Sequence, residues 1–290
     1  MTFCSRSVTK MVDSIRNLRY AGYSGHLLLC TVLVPASLFA AEAQSGSIKM
    51  QVRDGRPVVD GVYVNGHGPY RFLVDTGTSV NLILSSLAVK IGMTPTFRIN
   101  LTSSAGNAVM PGSDDNELRL GPAQADGQRF LLTDLAAVQR LWPDIHGVLG
   151  QRFLSQFDYL IDLRRSRLEF GKQDPEGNRT RFTLMDGRTT VSTSLGDLVL
   201  DSGAAGLILF GIEPESADGS YLQTVAGSQT IGKVWRSLAI EGRTLWRGLA
   251  VALPNREGRA EIEPGIAGLM PLNLFDAVYI CNSEGYLVFR

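Results

Sequence analysis

Cysteine is scarce in this chain of 290 residues. There are three, and two of them, Cys4 and Cys30, fall within the first 43 positions. Cys281 is the only thiol of the remainder, so no disulfide can form within it and its stability must come from a core. Histidine is as rare: His26 lies in the same N-terminal stretch, leaving His67 and His146. With no His-Glu-x-x-His and no Cys/His cluster, the composition argues against a zinc site. There is no Gly-x-Ser-x-Gly elbow for a hydrolase serine. Gly66-His67-Gly68 lacks the third glycine of a dinucleotide loop. Gly227 to Lys233 imitates a phosphate loop, but it sits in β-like sequence and is followed by Val234, which has no hydroxyl for magnesium. No metal and no organic cofactor is expected. Excess charge of either sign is missing too, with 28 basic and 28 acidic groups. That balance gives no electrostatic case for nucleic acid or for an anionic membrane surface.

Long apolar runs are limited to Leu27 to Ala41. It follows the basic residues Arg6, Lys10, Arg16 and Arg19, and precedes Ala41-Glu42-Ala43, which fits a small-x-small cleavage site. Residues 1–43 therefore read as a signal peptide, with Met11 as an alternative start. An uncleaved N-terminal anchor is the other reading, although the run is short for a membrane span and Pro35 interrupts it. Contact with a membrane is expected only if this segment is retained. The expected location is a bacterial periplasm or the cell exterior.

What the chain has in quantity is glycine, 31 residues, punctuating short strand-like segments. Convincing long amphipathic helices are few, so a mainly β protein is expected. Two of the strand-like segments end in a carboxylate. Phe72-Leu73-Val74 leads to Asp75-Thr76-Gly77-Thr78-Ser79, and Leu198-Val199-Leu200 leads to Asp201-Ser202-Gly203-Ala204-Ala205. In each, a glycine lets the chain turn tightly and hydroxyls stand beside the acid.

The neighbourhoods of the two acids repeat in order. Asp54-Gly55 and Asp186-Gly187 are turns. Hairpin tips at Ser103 to Asn107 and at Gln223 to Gln229 follow the acids. Gly147-Val148-Leu149-Gly150 is echoed by Gly265-Ile266-Ala267-Gly268, and Phe157-Asp158 by Phe275-Asp276. The two acids are 126 residues apart, Gly106 and Gly227 are 121 apart, and the Gly-x-x-Gly units are 118 apart. Such constancy argues for duplication of one unit. Asn65 to Pro69 reads as a loop, Asp114-Asp115-Asn116 as a turn, and Phe130 to Leu135 as a strand. The polar stretch 171–180 reads as the natural linker.

These residues resemble an aspartic peptidase of the retroviral (retropepsin-like) type, with two pepsin-like lobes in one chain. The resemblance covers about residues 46 to 290. It implies a mainly β, two-lobed acid-protease fold, made of duplicated β-barrel lobes with a cleft between them. The lobes would be residues 44–172 and 181–290, joined by 173–180. Asp75 and Asp201 would be the catalytic pair, and Thr76, Gly77, Thr78, Ser79, Ser202 and Gly203 the active-site turns. Ser104, Ala105, Gly106 and Asn107, with Ala226, Gly227 and Ser228, would be substrate-binding flaps. Gly147, Gly150, Gly265 and Gly268 would support the turns from beneath.

Two close carboxylates share a proton, so one can deprotonate an attacking water while the other protonates the carbonyl oxygen or the leaving amine. Ala204 replaces the hydroxyl that Thr78 offers in the first turn. A less acidic pair and a mildly acidic optimum are therefore expected. The expected partner is a peptide or protein substrate, bound by a monomer. A catalytically silent protein that binds peptides or protein partners is the alternative, as is a pair of acids supplied by two chains.

Overall fold

The computed structural model describes residues 45–103, 106–215, 221–224, 227–255 and 263–290. The signal-peptide reading of residues 1–43 lies outside them. In chain order the first half runs β1 (Gly46–Arg53), β2 (Arg56–Val64), β3 (His67–Val74), β4 (Asn81–Leu84), α1 (Ser85–Lys90), β5 (Phe97–Ser103), β6 (Gly106–Leu120), β7 (Ala123–Thr133), α2 (Ala136–Leu141), β8 (Gly147–Leu149), α3 (Gln151–Leu154), β9 (Tyr159–Asp162) and β10 (Arg167–Phe170). The second half runs β11 (Arg179–Arg181), β12 (Thr183–Met185), β13 (Arg188–Thr193), β14 (Gly196–Asp201), β15 (Ile208–Phe210), β16 (Tyr221–Thr224), β17 (Gly227–Thr230), β18 (Gly232–Ile240), β19 (Arg243–Leu253), β20 (Gly268–Pro271), a 3-10 turn (Leu272–Leu274), β21 (Ala277–Cys281) and β22 (Tyr286–Phe289). The protein is mainly β.

The strands that carry the two acids are apolar on both faces because both faces are covered. Side chains alternate along a strand. Phe72 and Val74 accordingly enter one core cluster while Leu73 enters another. Leu198 and Leu200 join that same main cluster, and Val199 packs with Ile208, Leu253 and Leu269 on the other side. One core thus reaches into both halves.

Each acid-bearing strand lies in the same surroundings. β3 is parallel to β8, β8 antiparallel to β4, and β4 parallel to β7. In the second half β14 is parallel to β20, β20 antiparallel to β15, and β15 parallel to β19. The halves also share a sheet. β1, β10 and β9 continue through β21 into β22 and β11, with Ile280 opposite Tyr159. Arg179 and Thr180, at the end of the expected linker, pair with the C-terminal strand as part of β11.

The structure corrects three sequence readings. The loop expected at Asn65 to Pro69 is only a two-residue turn. Asn65 and Gly66 take left-handed conformations (φ 50° and 76°), the geometry that tight hairpins demand, and β3 begins at His67. Asp114 to Asn116 is not a turn but a bulge within β6. There Asp115 has φ 58° and the register to β7 slips between Ser113 and Asn116. The Asn116 side chain covers the interrupted ladder by donating to the Ser113 and Gln128 carbonyls at 3.0 and 3.2 Å.

The third correction concerns the echo of Gly147 to Gly150. Gly147 pairs with Ile83 on β4, and the residue that pairs with Leu209 on β15 is Gly268. Gly268-Leu269-Met270-Pro271 therefore occupies the place of Gly147-Val148-Leu149-Gly150, three residues beyond the expected match. The helical turn α3 is replaced by the shorter 3-10 turn, which brings Phe275-Asp276 back to the place of Phe157-Asp158 ahead of the shared sheet.

Asp144 ties β1 to β3 at the surface. Arg53 donates to its two oxygens at 2.7 and 2.8 Å, Arg71 binds Oδ2, and Arg71 also reaches Asp60 at 2.6 Å. The Arg53 and Arg71 guanidinium groups hold the Asp144 carboxyl well below the usual carboxylate range. A depressed carboxylate contributes stability above its unfolded pKa and loses it as pH falls through the folded value. Asp144→Asn should therefore cost roughly 0.5–1 kcal/mol at neutral pH, since water screens the pair. Thermal melts at stepped pH should show the difference from wild type closing in strong acid.

Candidate active site

Asp75 and Asp201 leave their strands at the point where the parallel neighbours β8 and β20 end. The Asp75 N–H donates to the Leu149 carbonyl at 2.9 Å, and Asp201 stands opposite Pro271. Both acids are wholly buried. The turns after them interlock. The Thr76 hydroxyl donates to the Leu200 carbonyl at 2.7 Å, and the Ser202 hydroxyl donates to the Val74 carbonyl at the same distance. Each hydroxyl oxygen also accepts from the other residue's N–H at 3.0 Å. Four hydrogen bonds thus join the two halves directly beneath the acids.

The glycines make this approach possible. A Cβ on Gly77 would stand 2.3 Å from the Asp201 carboxyl carbon, and one on Gly203 would stand 2.6 Å from Asp75 Oδ2. Each carboxyl therefore rests against the glycine of the opposite turn. Gly77 N–H donates to Asp75 Oδ1 at 2.9 Å, while Gly203 and Ala204 N–H donate to Asp201 Oδ1 at 2.7 and 3.0 Å. Apart from the facing carboxyl, the second oxygen of each acid, Asp75 Oδ2 and Asp201 Oδ2, has no hydrogen-bond partner among the described residues.

The expected contrast between Thr78 and Ala204 is altered by this geometry. The Thr78 hydroxyl points to the Val80 carbonyl, at 3.5 Å, and not to Asp75. Asp201 instead has one more backbone donor than Asp75. Burial, followed by the neighbouring charge of Asp201, pushes the Asp75 carboxyl well above the usual range. The shared proton is accordingly best held on the Asp75 side, while Asp201 accepts one more backbone N–H than Asp75 does.

A buried polar layer that the sequence reading passed over supports the first turn. Asn81 accepts from Gly150 N–H at 3.0 Å and donates to Gln128 at 3.1 Å. Gln151 donates through Nε2 to the Thr76 carbonyl at 3.1 Å, and its own N–H donates to the Thr78 carbonyl. The signal for Asn81 was a polar residue inside the apolar run Val80 to Leu84. Arg56 reaches across the halves, donating to the Gly203 carbonyl at 2.7 Å, and Asn273 donates to the Ala205 carbonyl at 3.1 Å.

The remaining expected site residues fall in several places. Ser79 accepts through its carbonyl from Arg152 N–H. A Cβ on Gly150 would lie 2.1 Å from the Val80 carbonyl oxygen, and one on Gly268 would lie 2.0 Å from that of Ile208, so both positions admit only glycine. Gly265 stands apart from this contact, in a left-handed turn (φ 81°) beside Met185. Of the expected flap residues, Ser104, Ala105 and Ala226 lie outside the described residues. Gly106 and Asn107 open β6, and Gly227 and Ser228 open β17. Register places Ser103 opposite Gly106 and Thr224 opposite Gly227.

Residues 61–153 match the model of a protein family described as aspartyl protease. The matched stretch holds Asp75 and its turn, Asn81, Gly147, Gly150 and Gln151, and it ends before Asp201. No curated protein matches the chain. The stretch that carries Asp75 is thus similar to an aspartyl protease. The second acid is supplied by residues outside the match. Among the described residues no group of three or more His, Cys, Asp or Glu side chains could hold a metal ion, and no helix is long and apolar enough to cross a membrane.

Proposed function

We propose that this protein is an aspartic endopeptidase built from two retropepsin-like copies in one chain, with Asp75 and Asp201 as its catalytic pair. One observation carries the reading. Two buried carboxyls stand on turns locked together by reciprocal Thr76 and Ser202 hydrogen bonds, and each has one oxygen that, the facing carboxyl aside, meets no hydrogen-bond partner among the described residues. A water held between those oxygens gives a proton to the Asp201 carboxylate as it attacks the scissile carbonyl. Asp75 donates its proton to the carbonyl oxygen. Collapse of the tetrahedral intermediate returns a proton to the leaving nitrogen, and the carbon–nitrogen bond breaks.

The substrate is an extended polypeptide whose backbone pairs with the hairpins β5–β6 and β16–β17. The enzyme acts as a monomer, because both acids come from one chain. Residues 1–43 direct it out of the cytoplasm. The recurrence of parallel and antiparallel neighbours around β3 and β14 supports the duplication.

Peptide-library cleavage by the purified protein between about pH 3 and 8 tests the reading. Activity is expected to peak at mildly acidic pH, as befits an acid whose proton is retained by burial. A peak near about pH 2 would contradict the assigned environment of Asp75. Absence of cleavage at every pH, together with failure to bind a transition-state analogue, would favour a peptide-binding protein instead.

A further inference from the structure

A trans peptide bond is a flat plate, with the carbonyl of one residue on one edge and the N–H of the next on the other. A side chain that holds the carbonyl therefore aims the N–H. Each acid is met by such a plate, and neither plate is cis. The Thr76–Gly77 peptide donates from Gly77 N–H to Asp75 Oδ1 at 2.9 Å, and its Thr76 carbonyl accepts from Gln151 Nε2 at 3.1 Å. The Gly203–Ala204 peptide donates from Ala204 N–H to Asp201 Oδ1 at 3.0 Å, and its Gly203 carbonyl accepts from Arg56 Nε at 2.7 Å. Hydrogen bonds in series polarise one another, so each outer donor strengthens the inner bond to the acid.

Both outer donors are held in place. Gln151 opens α3 and is buried, its N–H donates to the Thr78 carbonyl at 2.8 Å, and its Nε2 also lies 3.4 Å from Thr189 Oγ1 of the second half. Arg56 opens β2 and crosses to the second half, to a carbonyl 147 positions away. Its guanidinium lies over the Trp142 ring, 5.4 Å from the centroid. Gly55, just before it, rests against Asn273, which donates to the Ala205 carbonyl of the same turn. Arg188 follows Asp186-Gly187 as Arg56 follows Asp54-Gly55, yet it binds the carboxylates of Glu263 at 2.7 Å and Asp186 at 3.9 Å. The reach of Arg56 to a turn carbonyl is thus not a by-product of the repeated strand. A guanidinium donor is charged as well, and charge-assisted hydrogen bonds are the stronger kind.

We propose that Arg56 is a positioning residue for Asp201, acting through the Gly203–Ala204 peptide, as Gln151 is for Asp75 through the Thr76–Gly77 peptide. Each acts on Oδ1 by way of the plate. That sets the rotation of the carboxyl and with it the place of Oδ2. The proposal rests on the peptidase reading for its effect on rate, but not for its structural readout.

The chain contains one Gly-Ala pair and one Thr-Gly pair. Labelling the carbonyl carbon of the first residue type and the nitrogen of the second therefore gives a single NMR correlation for each plate. Arg56→Met keeps an apolar stem beside Trp142 and removes the donor. It should move the Gly203 carbonyl carbon and the Ala204 amide proton upfield and leave the Thr76–Gly77 signal in place. Gln151→Met should do the converse. On a cleaved library peptide, each should lower kcat and kcat/KM together by about 10–100-fold, the scale of a misplaced reacting group. Arg56→Lys retains a charged donor. It should fall between wild type and Arg56→Met in both readouts, and it decides alone if Arg56→Met does not fold. A Gly203–Ala204 signal that ignores residue 56 would overturn the proposal, as would a shift of both plates together in either variant. So would unchanged kcat with a raised KM, since Arg56 would then be meeting the substrate. The expected shifts in a protein that cleaves no peptide would count against the peptidase reading and leave the two plates standing.

Discussion

Asp75→Asn and Asp201→Asn should each reduce peptide cleavage by about 10²–10⁴-fold, the range expected when a group that moves a proton in the transition state is lost. Neither should disturb the interlocked turns, because an amide oxygen can accept the same backbone N–H bonds that now reach Oδ1 in each acid. Stability should respond with the opposite sign. The Asp75 carboxyl is raised in the folded protein, so between the unfolded and folded values the native state binds more protons than the unfolded one. Stability from this group is then highest below the unfolded pKa and declines as pH rises through the folded one. Asp75→Asn removes that decline. Thermal melts at mildly alkaline pH should find the inactive variant more stable than wild type. Loss of activity in only one of the two variants would show that the pair does not operate as a unit within one chain.

The second large effect is structural. Gly268→Ala would place a methyl group 2.0 Å from the Ile208 carbonyl oxygen and 3.0 Å from the Leu209 Cα, where only backbone stands. β20 and β15 would have to separate, and β20 is the strand on which the Asp201 strand rests. The expected loss is about 3 kcal/mol or more, the upper range for overpacking, because a backbone obstacle cannot rotate aside. Gly206→Ala is the matched control, since nothing lies within 4 Å of its Cβ position and its φ is not left-handed. It should lie within about 0.5 kcal/mol of wild type. Urea unfolding of the three proteins measures both. Equal stability of Gly268→Ala and wild type would mean that the sheet accommodates the methyl group and that the close packing beneath Asp201 is not required.

The features that could be read from the chain were those fixed by local chemistry. An apolar run ending in Asp-Thr-Gly or Asp-Ser-Gly predicts a strand and a tight turn, and Phe72 to Gly77 and Leu198 to Gly203 form both. Asn-Gly at 65–66 was legible as a turn, but its extent was not, because the length of a hairpin loop is settled by pairing across it. The bulge at Asp115 reads locally like any Asp-Asp-Asn turn. Only its partner β7 keeps the strand continuous. Gly265-Ile266-Ala267-Gly268 satisfies the Gly-x-x-Gly pattern and Gly268-Leu269-Met270-Pro271 does not, yet contact with β15, more than fifty residues earlier, puts the latter in the place of Gly147 to Gly150. Asn81, Gln151, Arg56 and Glu263 escaped for a related reason. A polar side chain earns its place by its partner, and those partners lie between 47 and 147 positions away.

The sheet that both halves build has a consequence for any attempt to divide the gene. An N-terminal fragment ending near residue 172 would keep β1, β10 and β9 but lose β21. The edge of Tyr159 to Asp162, four residues all buried in the whole protein, would then be bare. A C-terminal fragment would bare β21, whose five residues from Ala277 to Cys281 are likewise all buried. Both edges are short, flat in polarity and free of proline or lysine, the usual guards against unwanted pairing. Each fragment would be a sticky strand in search of a complement, and the complement nearest in shape is the other fragment. Co-expression as two pieces is therefore a more natural route to a working split protein than expression of either piece alone.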